Sequence, residues 1–174
     1  MKQLFFLVIS VLLSASFSCK PPATDASAEE MVGITTFILV RHAEKADDGT
    51  KDPDLTDVGK ARAERLATLL QPNGIEAVYS TAYKRTRQTA EPLATTLNLP
   101  IQEYDPKATD LAKELIKANQ GKTVLVVGHS NSTPTLVNQL IGKEKYSELD
   151  ESVYGKLYVV TIYKKEAKAM VLEY

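Results

Sequence analysis

Cysteine is almost missing from this chain, tryptophan is missing altogether, and histidine occurs twice, as His42 and His129. A lone cysteine, Cys19, can close no internal disulfide and cannot build a cysteine-rich structural zinc site. No apolar run reaches the roughly 20 residues of a membrane-spanning helix, which argues against an integral membrane protein. Nor does either sign of charge prevail: 21 basic against 22 acidic side chains leave no broad positive field for holding nucleic acid. What remains is 174 residues, 44% hydrophobic and 25% charged, a length and mixture suited to one globular domain.

The N-terminus has its own pattern. Lys2 precedes an apolar run from Leu4 to Leu13, and small residues follow at Ser14, Ala15, Ser16 and Ser18, the order of an export signal. Residues 1–18 are expected to be a signal peptide. Residues 19–32, rich in Pro, Ala, Ser, Asp and Glu, have little to bury and read as a flexible linker. Cys19 stands where the signal ends, and that position resembles the lipidation site of bacterial lipoproteins, although Phe17 and Ser16 depart from the usual residues there. The expectation is an exported, lipid-anchored protein of the cell envelope that touches the membrane through this lipid alone.

From residue 33 to 174, apolar runs alternate with amphipathic segments. Thr36–Val40 and Thr123–Val127 are continuous and rich in strand formers, as buried parallel strands require. Ala77–Ser80 and Ile101–Tyr104 are shorter strands. Thr56 is a suitable helix N-cap, with Ala63, Leu66, Ala67 and Leu70 at helical spacing behind it. Further apolar stripes are Ala90, Leu93, Ala94 and Leu97, interrupted by Pro92; Leu111, Leu115 and Ala118; and Leu136, Val137, Leu140 and Ile141. Lys156–Tyr163 and Ala169–Tyr174 read as an antiparallel edge hairpin around Lys164-Lys165-Glu166. The fold class is therefore α/β, a three-layer sandwich with a mainly parallel central sheet between helices.

In such a sheet, ligands bind outside the carboxyl ends of the strands. Arg41 and His42 follow the first strand, and His129 follows the strong strand ending at Gly128, so both histidines fall on one rim. Arg85 belongs to the segment after the second strand. A cation near a helix start opposes the helix dipole, and an anionic ligand would compensate it. Arg87, Lys84 and Lys60 read as solvated helix surface.

Arg41-His42-Ala43-Glu44, Leu55-Thr56 with Gly59, Ser80 through Ala90, and Gly128-His129-Ser130 together resemble the histidine phosphatase superfamily, the phosphoglycerate mutase-like fold, over about residues 34–142. The resemblance implies that His42 is the phosphate-accepting nucleophile and that Arg41, Arg85 and His129 line the phosphate pocket. Ala43 replaces a frequent glycine, and a positive φ there would strain it.

The residue chemistry agrees with this assignment. Two guanidiniums match the oxygens of a phosphomonoester. An imidazole can attack in line once its other nitrogen donates to a fixing acceptor, and His129 would donate to a phosphoryl oxygen. The expected activity is hydrolysis of small phosphomonoesters through a phosphohistidine, with no metal or cofactor. For the proton donor to the leaving alcohol, Asp105 stands first, Glu103 second and Asp110 third, while Glu44 is expected to orient an arginine. Alternatives are a phosphoglycerate mutase, a protein phosphohistidine phosphatase, an anion-binding module without turnover, and a metalloenzyme built on His42, His129 and Glu44.

Overall fold

The computed structural model describes residues 33–174; the expected signal peptide, the linker and Cys19 lie outside the described residues. Strands β1 (Thr35–Arg41), β2 (Ile75–Ser80), β3 (Ile101–Glu103) and β4 (Thr123–Gly128) pair in parallel. Strand β5 (Lys156–Tyr163) adds antiparallel to β1, and β6 (Glu166–Glu173) antiparallel to β5. The sheet order is β3-β2-β4-β1-β5-β6, so the C-terminal hairpin lies at an edge as its sequence pattern predicts.

Successive side chains of a strand point to opposite faces. Ile38, Val40, Leu125 and Val127 pack with Leu66, Leu70 and Leu93 on one face, under helices α1 (Asp57–Leu70) and α2 (Lys84–Thr96). Phe37, Leu39, Val124 and Val126 pack on the other with Leu115, Leu136 and Leu140, from α3 (Leu111–Ala118) and α4 (Ser132–Ile141). A fully buried aliphatic side chain contributes about 1.5–3 kcal/mol. The two central strands, covered on both sides, thus anchor the three layers.

Register sets the rim. Arg41 aligns with Gly128, and Val127 aligns with both Val40 and Ser80, so β1, β2 and β4 end at one level. Helix α1 starts as its sequence predicts, the Thr56 Oγ1 accepting from the Gly59 N–H at 3.1 Å. A Cβ at Gly59 would collide with the Glu44 carbonyl oxygen, so only glycine lets this turn rest on the loop after β1.

Several details differ from expectation; β2, for one, begins at Ile75 rather than Ala77. Strand β3 ends at Glu103, and β6 begins at Glu166, because Tyr163 already pairs with Glu166 and leaves Lys164-Lys165 as the turn, Lys164 at φ +56°. At the C-terminal end of α3 the inward residue after Leu115 is the capping Asn119, not Ala118, which is exposed. Asn119 Nδ2 donates to the Tyr79 hydroxyl at 3.1 Å and to the Leu115 carbonyl at 2.8 Å, which makes the buried amide tolerable. Pro92 lies inside α2 without ending it.

Residues 142–155 form no regular element. Asn138 of α4 organises them: its Nδ2 donates to the Glu144 carboxylate and the Tyr146 carbonyl, both at 2.8 Å, and its Oδ1 accepts from the Lys145 and Tyr146 amides. Leu149 is buried, and its N–H donates to the Ser130 carbonyl at 3.0 Å. The loop is thereby drawn over the ends of β1 and β4.

Candidate active site

A cavity of about 500 Å³ opens at the common rim, lined among others by Arg41, His42, Arg85 and His129. The four rim residues singled out in the sequence are together. Backbone continuity places His42 directly after β1, its N–H donating to the Gly128 carbonyl at 2.9 Å. Gly128 in turn admits no side chain: a Cβ would stand 2.8 Å from Thr133 Oγ1, 2.9 Å from the Tyr104 hydroxyl and 3.0 Å from Ser132 Oγ.

His42 is 3% exposed, and its Nδ1 lies 2.8 Å from the Ala43 carbonyl oxygen. A carbonyl only accepts, so Nδ1 carries the hydrogen and Nε2 keeps its lone pair. Burial lowers the pKa of His42 to about 3; the Ala43 bond opposes this, while the positive Arg41, His129 and Arg85 add to it. The ring is neutral at ordinary pH. Ala43 sits without positive φ, fully buried against Leu55 and Ala63, and its N–H donates to Thr89 Oγ1 at 2.9 Å. The methyl group is accommodated without the strain that a left-handed backbone would bring.

The guanidinium of Arg41 is 1% exposed. Its Nη1 donates to the carbonyls of Asp150, Glu151 and Val153 at 3.0–3.1 Å, and Nη2 to the Glu151 carboxylate at 2.8 Å. The Tyr154 ring lies 4.3 Å away. Arg85 makes looser contacts, with Asp52 at 3.7 Å and with the Tyr83 ring at 4.3 Å. The Asp52 carboxylate also accepts from the Lys84 N–H and so caps α2. Nε of both arginines is buried without a partner. Two orphaned cationic donors call for an anion.

His129 lies edge-on to His42, ring centroids 5.5 Å apart. Its Nε2 is 3.0 Å from Thr81 Oγ1 and its Nδ1 is 3.5 Å from Arg85 Nη2. Burial, with help from Arg85 and Arg41, lowers its pKa to about 4.

The other assignments are scattered. Asp105 is exposed, accepts from the Lys107 N–H at 2.9 Å and is not among the cavity-lining residues. Glu103 pairs with Arg87, and Asp110 with Lys113, both at the surface. The carboxylates that do line the cavity are Glu148 and Glu151, gathered around the Ser130 hydroxyl at 3.5 and 3.1 Å. Burial raises the Glu151 pKa, but Arg41 and Ser130 outweigh it and hold the group below its ordinary value. Glu44 pairs with Arg62 at 2.7 Å. Among the described residues no group of three or more His, Cys, Asp or Glu is placed to hold a metal ion. Sequence reading missed Glu148, Glu151 and Tyr154, which come from a loop without periodicity. It also missed Thr81 and Thr86, which lie inside the Ser80–Ala90 segment, where their spacing across a helix start was the available signal.

Residues 37–106 match the model of the histidine phosphatase superfamily (branch 1). A curated relative, phosphoserine phosphatase 1 of Hydrogenobacter thermophilus, is 39% identical over 78 residues, 41% of this chain and 37% of that protein's length. The match therefore spans well under half of that relative. Among solved structures, YhfR of Bacillus stearothermophilus superposes with a TM-score of 0.64 at 18% identity, covering 79% of this chain and 96% of that one. A phosphoserine phosphatase mutant of Entamoeba histolytica in complex with phosphoserine gives 0.61 at 16%, covering 78% and 94%. A protein assigned as the phosphohistidine phosphatase SixA, from Nakamurella multipartitia, gives 0.62 at 21%, covering 81% and 96%. At these identities the structural likeness concerns the fold.

Proposed function

We propose that this chain, a member of the histidine phosphatase superfamily, hydrolyses small phosphomonoesters through a phosphohistidine on His42. The observation that carries the reading is the neutral, buried His42, its Nδ1 fixed by the Ala43 carbonyl, beside two guanidiniums whose Nε groups lack acceptors. The phosphoryl group would sit between Arg41, Arg85 and His129. His42 Nε2 forms a bond to phosphorus as the ester P–O bond breaks, and the alcohol leaves with a proton taken from water at the open mouth of the cavity. Water then attacks phosphorus, the N–P bond breaks, Nε2 recovers its lone pair, and the proton that the water gives up returns to solvent. The arginines supply the positive charge that the transferred group needs.

A cavity of about 500 Å³ suits a small molecule. Its mouth carries the exposed Tyr83, Lys107, Glu148 and Glu151. Such access to water favours hydrolysis over a mutase, which must shield its phosphoenzyme. The relatives' phosphoserine and phosphohistidine substrates are the first compounds to try. Quenching turnover in alkali, which spares a phosphoramidate, and mapping phosphate by mass spectrometry should locate it on His42. His42→Ala should abolish label and turnover; wild-type turnover in that variant would refute the assignment. Export and a lipid on Cys19 complete the proposal, and Cys19→Ser should then release the protein from the membrane fraction.

A further inference from the structure

Behind His129 a chain of hydroxyls runs into the protein. Thr81 and Thr86 are 1% and 0% exposed, and Thr86 comes from the first turn of α2. Thr86 Oγ1 lies 2.8 Å from the Tyr83 carbonyl and 3.1 Å from the Thr81 carbonyl, 2.9 Å from Thr81 Oγ1, and Thr81 Oγ1 lies 3.0 Å from His129 Nε2. The directions follow from the far end. Carbonyls only accept, so the Thr86 hydroxyl donates to them; its lone pair accepts from the Thr81 hydroxyl; the Thr81 lone pair accepts from His129 Nε2–H. At the other end of the ring, Arg85 has no lone pair to offer, so its Nη2, at 3.5 Å, can face only an unprotonated Nδ1. Both ends impose one tautomer.

We infer that Thr81 and Thr86 are positioning residues that hold neutral His129 with its Nδ1 lone pair toward the cavity, so that the site takes its phosphoryl group together with one proton. A dianionic phosphate oxygen would meet that lone pair head-on, whereas a monoanionic group donates P–O–H to it. Proton count is the same if the hydrogen crosses to Nδ1 and leaves an imidazolium beside a dianion. No net proton is gained or lost within the complex. The inference rests on the proposed phosphate site and specifies the ionic form it takes.

The groups that face His129 are Arg85 and Tyr83 from the start of α2 and His42 from the end of β1, with Arg41 close enough to repel its proton. Lys45, Lys107, Glu148 and Glu151 line the same cavity. Because several of these can titrate, the test varies the ligand's own pKa. For a phosphomonoester, kcat/KM should fall about tenfold per pH unit above the ester's second pKa, near 6 for a phosphorylated hydroxyl. The break should move with that pKa across a series of esters. Thr86→Val removes the terminal hydroxyl, so that Thr81 can turn to donate to Nε2 and only the long 3.5 Å contact with Arg85 still disfavours hydrogen on Nδ1; its profile should flatten, and Thr86→Ser should restore the break. A merely structural role would scale the rate and leave the profile alone.

Nitrogen NMR of wild-type His129 should show hydrogen on Nε2, and binding of inorganic phosphate should weaken about tenfold per pH unit above its second pKa. Neither measurement needs turnover, so they stand if the hydrolase reading fails, and the wild-type spectrum stands if a variant does not fold. Hydrogen on Nδ1 in the free protein, or phosphate binding that does not weaken as the dianion forms, overturns the inference.

Discussion

The surroundings of Arg41 and Arg85 solve the same problem, a cation held at a strand rim, in opposite ways. Arg41 is enclosed, and three backbone carbonyls and the Glu151 carboxylate consume its outer donors. Arg85 stands at the start of α2 against an aromatic face, with a partly exposed carboxylate at 3.7 Å. What both leave open is Nε. The enclosed arginine is therefore part of the fold as well as of the cavity wall, while the looser one keeps more freedom to adjust to what enters.

The largest test of this contrast is Arg41→Ala. It should abolish turnover and also cost about 3 kcal/mol of stability, since buried carbonyls and a peptide loop lose their donor; denaturant melts beside kinetics would show both. Arg85→Ala should lower kcat by roughly 10²–10³ while unfolding changes by less than about 1 kcal/mol. Equal stability losses in the two variants would erase the distinction.

The next effect belongs to the ring between them. The folded pKa of His42, about 3, lies below its ordinary 6.5, so the unfolded chain binds its proton first on acidification. Stability is fully present above pH 6.5 and is lost as pH falls toward 3. Between pH 7 and 5 this histidine should account for roughly 2 kcal/mol of lost stability, and urea melts of His42→Asn should show a correspondingly smaller loss.

Smaller still is Glu151→Gln. The carboxylate is 73% exposed, so removing its competition for Arg41 should lower KM severalfold at most, with phosphate binding checked at two salt concentrations. Asp52→Asn, beside Arg85, should change kcat/KM by less than about twofold.

The Arg41 surroundings also mark the limit of what the chain discloses before folding. The strands, the Thr56 cap and the Ala63, Leu66, Ala67 and Leu70 stripe are readable because each is decided within a few residues by periodicity or a local hydrogen bond. Arg41, His42, Arg85 and His129 are readable because strand ends in a parallel sheet share a rim. Glu151 lies 110 residues from its arginine, in a loop with neither period nor turn signature, and no local pattern ties the two. Asp105 follows a strand in the sequence and so offers itself as a proton donor, yet its carboxylate accepts from the Lys107 N–H and closes a local turn. Asn119 exchanged roles with Ala118 because a hydroxyl on β2 offered its amide a buried partner.

The Asn138 amide has one further consequence. By fastening residues 144–146 to α4 it sets the path of the loop that delivers the carbonyls of residues 150, 151 and 153 to Arg41. The entropy of ordering that loop is then spent during folding, so the proposed phosphate would meet a guanidinium already aimed rather than one it must organise. Affinity at the proposed phosphate site is thus expected to depend on a neutral side chain within a helix, away from the cavity wall.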